Sequence, residues 1–109
     1  MGKIIMVDID NTITTTTGCD YAGAVPNHDN IAMMNQLYDD GHTIIYWTAR
    51  GTMNKQTNWY HVTRKQLDDW NVKYHELRME KPYFDILIDD RALNAVKHLT
   101  RDNINDIIC

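Results

Sequence analysis

Two aspartates separated by one residue, Asp8 and Asp10, follow the apolar run Ile4-Ile5-Met6-Val7. Carboxylates held so close repel each other unless a cation sits between them or one keeps its proton. Three further groups recur beside later apolar runs: Thr48 after TIIYW, Lys81 ahead of the next run, and the pair Asp89-Asp90 at that run's end. Acids, a hydroxyl and an ammonium converging on one rim would make a site for a divalent cation and a phosphoryl group. Hard oxygen ligands favour Mg²⁺, which keeps waters and takes phosphate oxygens as ligands. The bland alternative for the first pair is an acidic loop that caps the next element.

The elements that must position these groups alternate between strand and helix patterns. Ile4 to Val7 suits a buried parallel strand, apolar on both faces; a buried helix segment has the same periodicity, but β-branching and the following Asn-Thr favour a strand. The stretch Thr14–Pro26, with its threonine run, two glycines and proline, reads as an extended flap or small hairpin. Asn27 or Asp29 can cap a helix bearing Ile31, Met34, Leu37 and Tyr38 on one side, with Gly41 as its left-handed stop. Thr43 to Thr48 reads as a second buried strand. A helix from about Gln56 to Trp70 places Trp59, Thr63, Leu67 and Trp70 inward, and Asn71 or its neighbour closes it. Val72 to Leu77 is a third, weaker strand. Phe84 to Ile88, interrupted only by Asp85, is a fourth. Ala92 to Leu99 is helical by pattern, and Asn103 to Ile108 fits an edge strand or a short helix. The alternation predicts an α/β fold with a mainly parallel sheet. One connection is awkward: about eight residues join the third and fourth strands, where a parallel crossover usually takes a dozen or more. In such sheets ligands bind at the carboxyl ends of the strands, where Asp8, Thr48 and Asp89 fall.

The 109 residues predict a single domain, 1–109, with no repeat or linker. Charged residues make up 24% and hydrophobic ones 43%, the balance of a soluble globular protein. The formal charge of −4 argues against nonspecific nucleic-acid binding without excluding a local basic groove. No apolar run approaches a membrane span and no signal segment opens the sequence, so the cytoplasm is the expected location. Cys19 and Cys109 lie at opposite ends, fit no metal spacing and read as free thiols.

In combination the residues resemble the haloacid dehalogenase (HAD) superfamily. VDIDNT is similar to its first motif, Thr48 to its second, Lys81 to its third and the acids of LIDD to its fourth. The block TAR with KPYFDILIDDRA is most similar to small capless phosphatases, some associated with capsule or sugar biosynthesis. The resemblance implies a three-layer Rossmann-like sheet without an inserted cap domain, since nothing between Ile13 and Asn27 is long enough for one. It implies Asp8 as nucleophile forming an aspartyl-phosphate, and Asp10 as the acid and then the base. Thr48 would bond the transferring phosphoryl, and Lys81 would offset its charge. Thr12, Ala49 and Arg50 would face substrate. Asp8, Asp10 (through its carbonyl) and Asp89 would hold Mg²⁺, with Asp90 a ligand, an outer partner or a helix cap.

The implied activity is a Mg²⁺-dependent phosphomonoesterase acting on a phosphorylated sugar or nucleotide. An open site admits large substrates or is closed by an oligomeric partner, so a homo-oligomer is possible. A polynucleotide-end phosphatase ranks lower because of the acidic charge. A receiver-type signalling module shares the residue types, but there an acidic pair follows the first strand, the phosphoacceptor ends the third and the lysine comes near the end. Here Asp8-x-Asp10 comes first and Lys81 precedes Asp89-Asp90. Other residues have plainer readings. Arg50 either grips substrate or pairs with a surface acid, Arg91 pairs with an acid or a helix end, and the five histidines show no metal spacing. Trp59 and Trp70 read as core, Trp47 should point away from Thr48 by strand alternation, and Tyr21 is a candidate for a substrate entrance.

Overall fold

The computed structural model describes residues 2–53 and 57–108. The chain runs β1 (Ile4–Val7), β2 (Thr14–Thr15), β3 (Val25–Pro26), α1 (His28–Asp39), β4 (Thr43–Trp47), α2 (Trp59–Asp69), β5 (Glu76–Arg78), α3 (Ala95–His98) and α4 (Arg101–Ile108). The main sheet has the order β1-β4-β5 and is parallel throughout, with Ile4 opposite Thr43 and Ile45 opposite Glu76. Helices flank it, as expected of an α/β fold built from strand–helix–strand units.

Local chemistry accounts for the boundaries. Asn27 caps α1 by accepting the Asn30 N–H at 3.0 Å. Gly41, at φ 98°, supplies the left-handed turn that lets its own N–H reach the Tyr38 carbonyl and the His42 N–H reach Leu37. Asn58 caps α2, and Asn71 (φ 58°) ends it. The start expected near Gln56 lies outside the described residues. Ile31, Met34 and Leu37 of α1 meet Val7, Ile44 and Tyr46 of the sheet and Leu67 of α2 in one core. Burying such side chains contributes about 1.5–3 kcal/mol each. Trp59 and Trp70 are only partly buried; Thr63 and Leu67 carry the inner stripe of α2. The flap is the short antiparallel ladder β2–β3, in which Thr14 faces Pro26.

Three expectations need correcting. Ile4 and Met6 are 74% and 45% exposed, so β1 is not buried on both faces. The third strand is shorter and later than Val72–Leu77, beginning at Glu76. The fourth strand is absent from the described residues: 84–88 forms no ladder, and Ile86 and Ile88 are 74% and 88% exposed. The connection explains this. Chain leaving β5 at its carboxyl end must return to the opposite edge before another parallel strand can start, and residues 79–83 are too few for a usual crossover. The tail resolves as helix α4, packed through Ile104, rather than an edge strand. Ala92–Leu99 is helical only over α3, capped by Asn94.

Candidate active site

Asp8 follows the last residue of β1, and Asn11, at φ 61°, turns the chain so that the Thr12 and Ile13 N–H groups both return to the Ile9 carbonyl. Ile9 and Ile13 are fully buried and anchor this loop from beneath. Asn30 of α1 holds it from the side, donating to the Thr12 carbonyl at 2.8 Å. These contacts fix the loop's shape, and in it Asp8 and Asp10 meet different partners.

Asp8 meets Lys81 Nζ at 3.7 Å and accepts a long hydrogen bond, 3.4 Å, from the Thr12 hydroxyl. Burial pushes its carboxyl above the usual carboxylate range, opposed by the charge of Lys81 and the Ile9 N–H, and reinforced by Asp10. The carboxylate is still 38% exposed, so solvent screens much of this effect. It is open, lightly bonded and faced by one cation.

Asp10 is held quite differently. Arg50 grips it with both arms, Nε to Oδ2 at 2.9 Å and Nη2 to Oδ1 at 2.8 Å, and the Thr16 hydroxyl adds a bond of 2.7 Å to Oδ1. Arg50 has no exposed side-chain surface. Its remaining nitrogen donates to Thr63 (3.1 Å) and Gln66 (2.5 Å) of α2, and the Tyr21 ring lies 5.2 Å from its guanidinium carbon. Gln66 in turn donates to the Tyr21 carbonyl at 2.9 Å. Of the two readings of Arg50, pairing with an acid is what its contacts show, and the acid is Asp10 rather than a surface group.

Thr48 and Lys81 are placed by the sheet. Beyond the formal end of β4 and β5, the Thr48 N–H bonds the Arg78 carbonyl and the Lys81 N–H bonds the Thr48 carbonyl, each at 3.0 Å. The Thr48 hydroxyl accepts the Arg50 N–H at 3.1 Å. The Trp47 ring lies 5.7 Å from Lys81 Nζ.

Two cavities meet at Asp8 and Lys81. One, about 230 Å³, is lined by Asp8, Asp10, Thr48, Ala49, Arg50 and Lys81 together with Tyr21, Tyr83 and Phe84. The other, about 340 Å³, brings Asp8, Thr12 and Lys81 together with Asp89 and a mainly apolar wall. Asp89 Oδ1 accepts the Arg91 N–H at 2.7 Å, while exposed Asp90 lines neither cavity. Among the described residues, no three His, Cys, Asp or Glu side chains gather closely enough to enclose a metal ion unaided. Mg²⁺ does not demand such a cage, because one or two carboxylates suffice when waters and phosphate oxygens complete its shell. Asp8 and Asp89 line one cavity, and their two carboxylates match in type what such a shell uses, with Asp89 Oδ1 already accepting the Arg91 N–H.

Several participants are not evident from the sequence. Thr16 is hidden inside a low-complexity threonine run. Gln66 carries a usable signal: with Thr63 it puts two polar groups beside Leu67 on the inner stripe of α2, where only a buried polar partner can satisfy them. That partner is Arg50.

No protein-family model and no curated protein matches the chain. Among solved structures it is similar to a crystal structure of a structural-genomics target from Vibrio cholerae, with a TM-score of 0.79 and 26% identity over 98% of this chain and 96% of that one. It is also similar to a chain of the Pnkp1/Rnl/Hen1 complex, with a TM-score of 0.60 and 16% identity, covering 84% of this chain but only 31% of the larger one. No helix among the described residues is long and apolar enough to cross a membrane. Both structural likenesses place this chain on the same parallel α/β fold.

Proposed function

We propose that this protein is a phosphomonoesterase that transfers the phosphoryl group to Asp8 and then to water. The observation that carries the reading is the contrast between the two aspartates. Asp8 is open and lightly bonded, with Lys81 at 3.7 Å, whereas Asp10 is fixed by the two-armed grip of Arg50. A nucleophile needs a free oxygen, and a proton-transfer group needs a fixed direction.

In the first half-reaction an Asp8 oxygen forms a bond to phosphorus while the bond to the leaving oxygen breaks. That oxygen takes a proton that Asp10 has first bound through its exposed part, loosening its pair with Arg50. In the second, Asp10 takes a proton from water as the water oxygen attacks phosphorus, and the bond to Asp8 breaks to release phosphate. The Thr48 hydroxyl, already accepting the Arg50 N–H, has its own hydrogen to donate to a phosphoryl oxygen. Lys81 screens the approach of two anions. Asp8 and Asp89 would hold Mg²⁺, which when bound supplies further neutralisation of the phosphoryl oxygens. Asp10 faces Arg50 and Thr16, so its exchange with the cavity goes through the part of its carboxylate that remains 18% exposed.

The test is a rapid quench of turnover on an aryl phosphate, followed by mass spectrometry of the peptide that carries Asp8. Asp10→Asn should accumulate phosphate on Asp8, because losing proton transfer slows hydrolysis of the intermediate by ~10²–10⁴-fold while the aryl leaving group departs unaided. Asp8→Asn should show none. A covalent phosphate on Asp10, or on no residue in any variant, refutes the assignment.

A further inference from the structure

Tyr83 and Phe84 line the smaller cavity beside Asp8 and Lys81, yet they are 69% and 43% exposed. Two large rings left in water at the mouth of a polar site call for an explanation. Tyr21, across the cavity, is already committed: its ring packs edge-on to Trp59 at 5.2 Å and lies over Arg50. Phe84 has the Lys81 ammonium 5.5 Å from its ring. Tyr83 is steadied only through its hydroxyl, which donates to Asp85 at 3.4 Å, and no ring stacks on it among the described residues. The nearby exposed Ile86 and Ile88 do not line this cavity.

We propose that Tyr83 and Phe84 form a stacking subsite for the base of a phosphorylated nucleoside whose phosphate sits at Asp8. The proposal rests on the phosphatase reading for the phosphoryl end and adds the substrate class. Around the phosphoryl position the wall is carboxylate, hydroxyl and ammonium, suited to a ribose and its phosphate. The rings line the same cavity as Asp8 and are largely exposed, so a base attached through a sugar to a phosphate at Asp8 would lie against them. The cavity, about 230 Å³, is smaller than the ~300–1,000 Å³ of pockets that enclose a whole ligand. It houses the phosphoryl group and leaves the base at the mouth, held face-on. Stacking of this kind tolerates any base. The chain's charge of −4 provides no track for a long phosphate backbone, so the subsite reads a terminal phosphate with its own nucleoside.

The experiment compares kcat/KM for adenosine 5′-monophosphate, ribose 5-phosphate, phenyl phosphate and a short oligonucleotide bearing a terminal phosphate, in wild type, Tyr83→Ala and Tyr83→Trp. Stacking predicts that the base raises kcat/KM by between about 5-fold and 150-fold over ribose 5-phosphate. Tyr83→Ala should erase most of that ratio and Tyr83→Trp should keep it. Faster turnover of the mononucleotide identifies a free nucleotide as the source and faster turnover of the oligonucleotide identifies a strand end; either upholds the subsite. No preference for a base in either form, or a preference that Tyr83→Ala leaves intact, overturns it. So does a matching, Tyr83-dependent preference for phenyl phosphate, since that subsite would read a ring attached directly to the phosphate. If no phosphomonoester is hydrolysed, the phosphatase reading alone fails. Calorimetric binding of adenosine 5′-monophosphate and ribose 5-phosphate then decides the subsite, with tighter, Tyr83-dependent binding of the nucleotide upholding it and equal binding overturning it.

Discussion

Replacing Arg50 with Met removes a cation that has no exposed side-chain surface and leaves Asp10, 18% exposed, without its partner. Breaking a buried pair by deleting one member costs about 3–5 kcal/mol, because the survivor is left charged and unpaired. Asp10 can recover some hydration through its exposed part, so Arg50→Met should fall near the low end, about 3 kcal/mol. Asp10→Asn strands the other partner, and Arg50 has no route to water. Its cost should equal or exceed that of Arg50→Met, although the retained Thr63 and Gln66 bonds offset part of it. The double variant removes both charges together and should be far less destabilised than the sum of the two, since replacing a buried pair by uncharged groups is often close to neutral. A coupling energy of about 2 kcal/mol or more is expected, within the usual range for contacting residues. Against a typical stability of about 5–15 kcal/mol these are large changes. Equilibrium unfolding in urea on the four proteins, with a common m-value, measures the cycle. Additivity within about 0.5 kcal/mol would show that Arg50 and Asp10 are not energetically paired. Arg50→Lys should fail to restore either stability or activity fully, because an ammonium cannot reproduce the two-armed grip.

Asp8→Asn should raise the unfolding midpoint at neutral pH, since burial raises the Asp8 carboxyl in the folded state. The folded state then binds the proton more tightly than the unfolded state, so wild type loses stability relative to the variant as pH rises through the carboxylate range. The gap should vanish in acid, where both forms are neutral; thermal melts from pH 3 to pH 8 check it. Asn27→Ala should cost about 1 kcal/mol through loss of the α1 cap, measured by denaturant unfolding. Activity should require Mg²⁺ and disappear in EDTA. Asp89→Asn should weaken metal dependence more than Asp90→Asn, because only Asp89 shares a cavity with Asp8; equal effects in a Mg²⁺ titration would contradict that placement.

The elements legible in the sequence are those whose signals are local. Asn27, Gly41 and Asn71 mark helix ends by capping or by left-handed backbone, and each does so in the structure. The strands Ile4–Val7 and Thr43–Trp47 follow from β-branched runs between turn residues. The apolar run at 84–88 carries the same local signal and forms no ladder among the described residues. Whether a run pairs depends on whether the chain can bring it to an open edge in register, which composition does not encode. The short connection after β5 is the physical obstacle, and its length is visible in the sequence even though the outcome is not.

The site follows the same division. Asp8 and Thr48 sit where strand-end reasoning puts them, just past β1 and β4, because a parallel sheet sends every carboxyl end to one rim. Asp89, expected at a fourth strand's end, follows a run that forms no ladder among the described residues, and Lys81 lies in the connection after β5. How each aspartate is held is not set by the Asp-x-Asp spacing. It is set by Arg50, forty positions away, which reaches Asp10 only because β4 lies beside β1 and because α2 places Thr63 and Gln66 behind the guanidinium. Asp10 is held by three contacts, two from Arg50 and one from Thr16. Asp8 has an ammonium at 3.7 Å, one long hydrogen bond from Thr12 and the Ile9 N–H, so the less constrained oxygens are those of Asp8. The asymmetry between two identical side chains thus comes from their partners, and moving Arg50 is the way to change it.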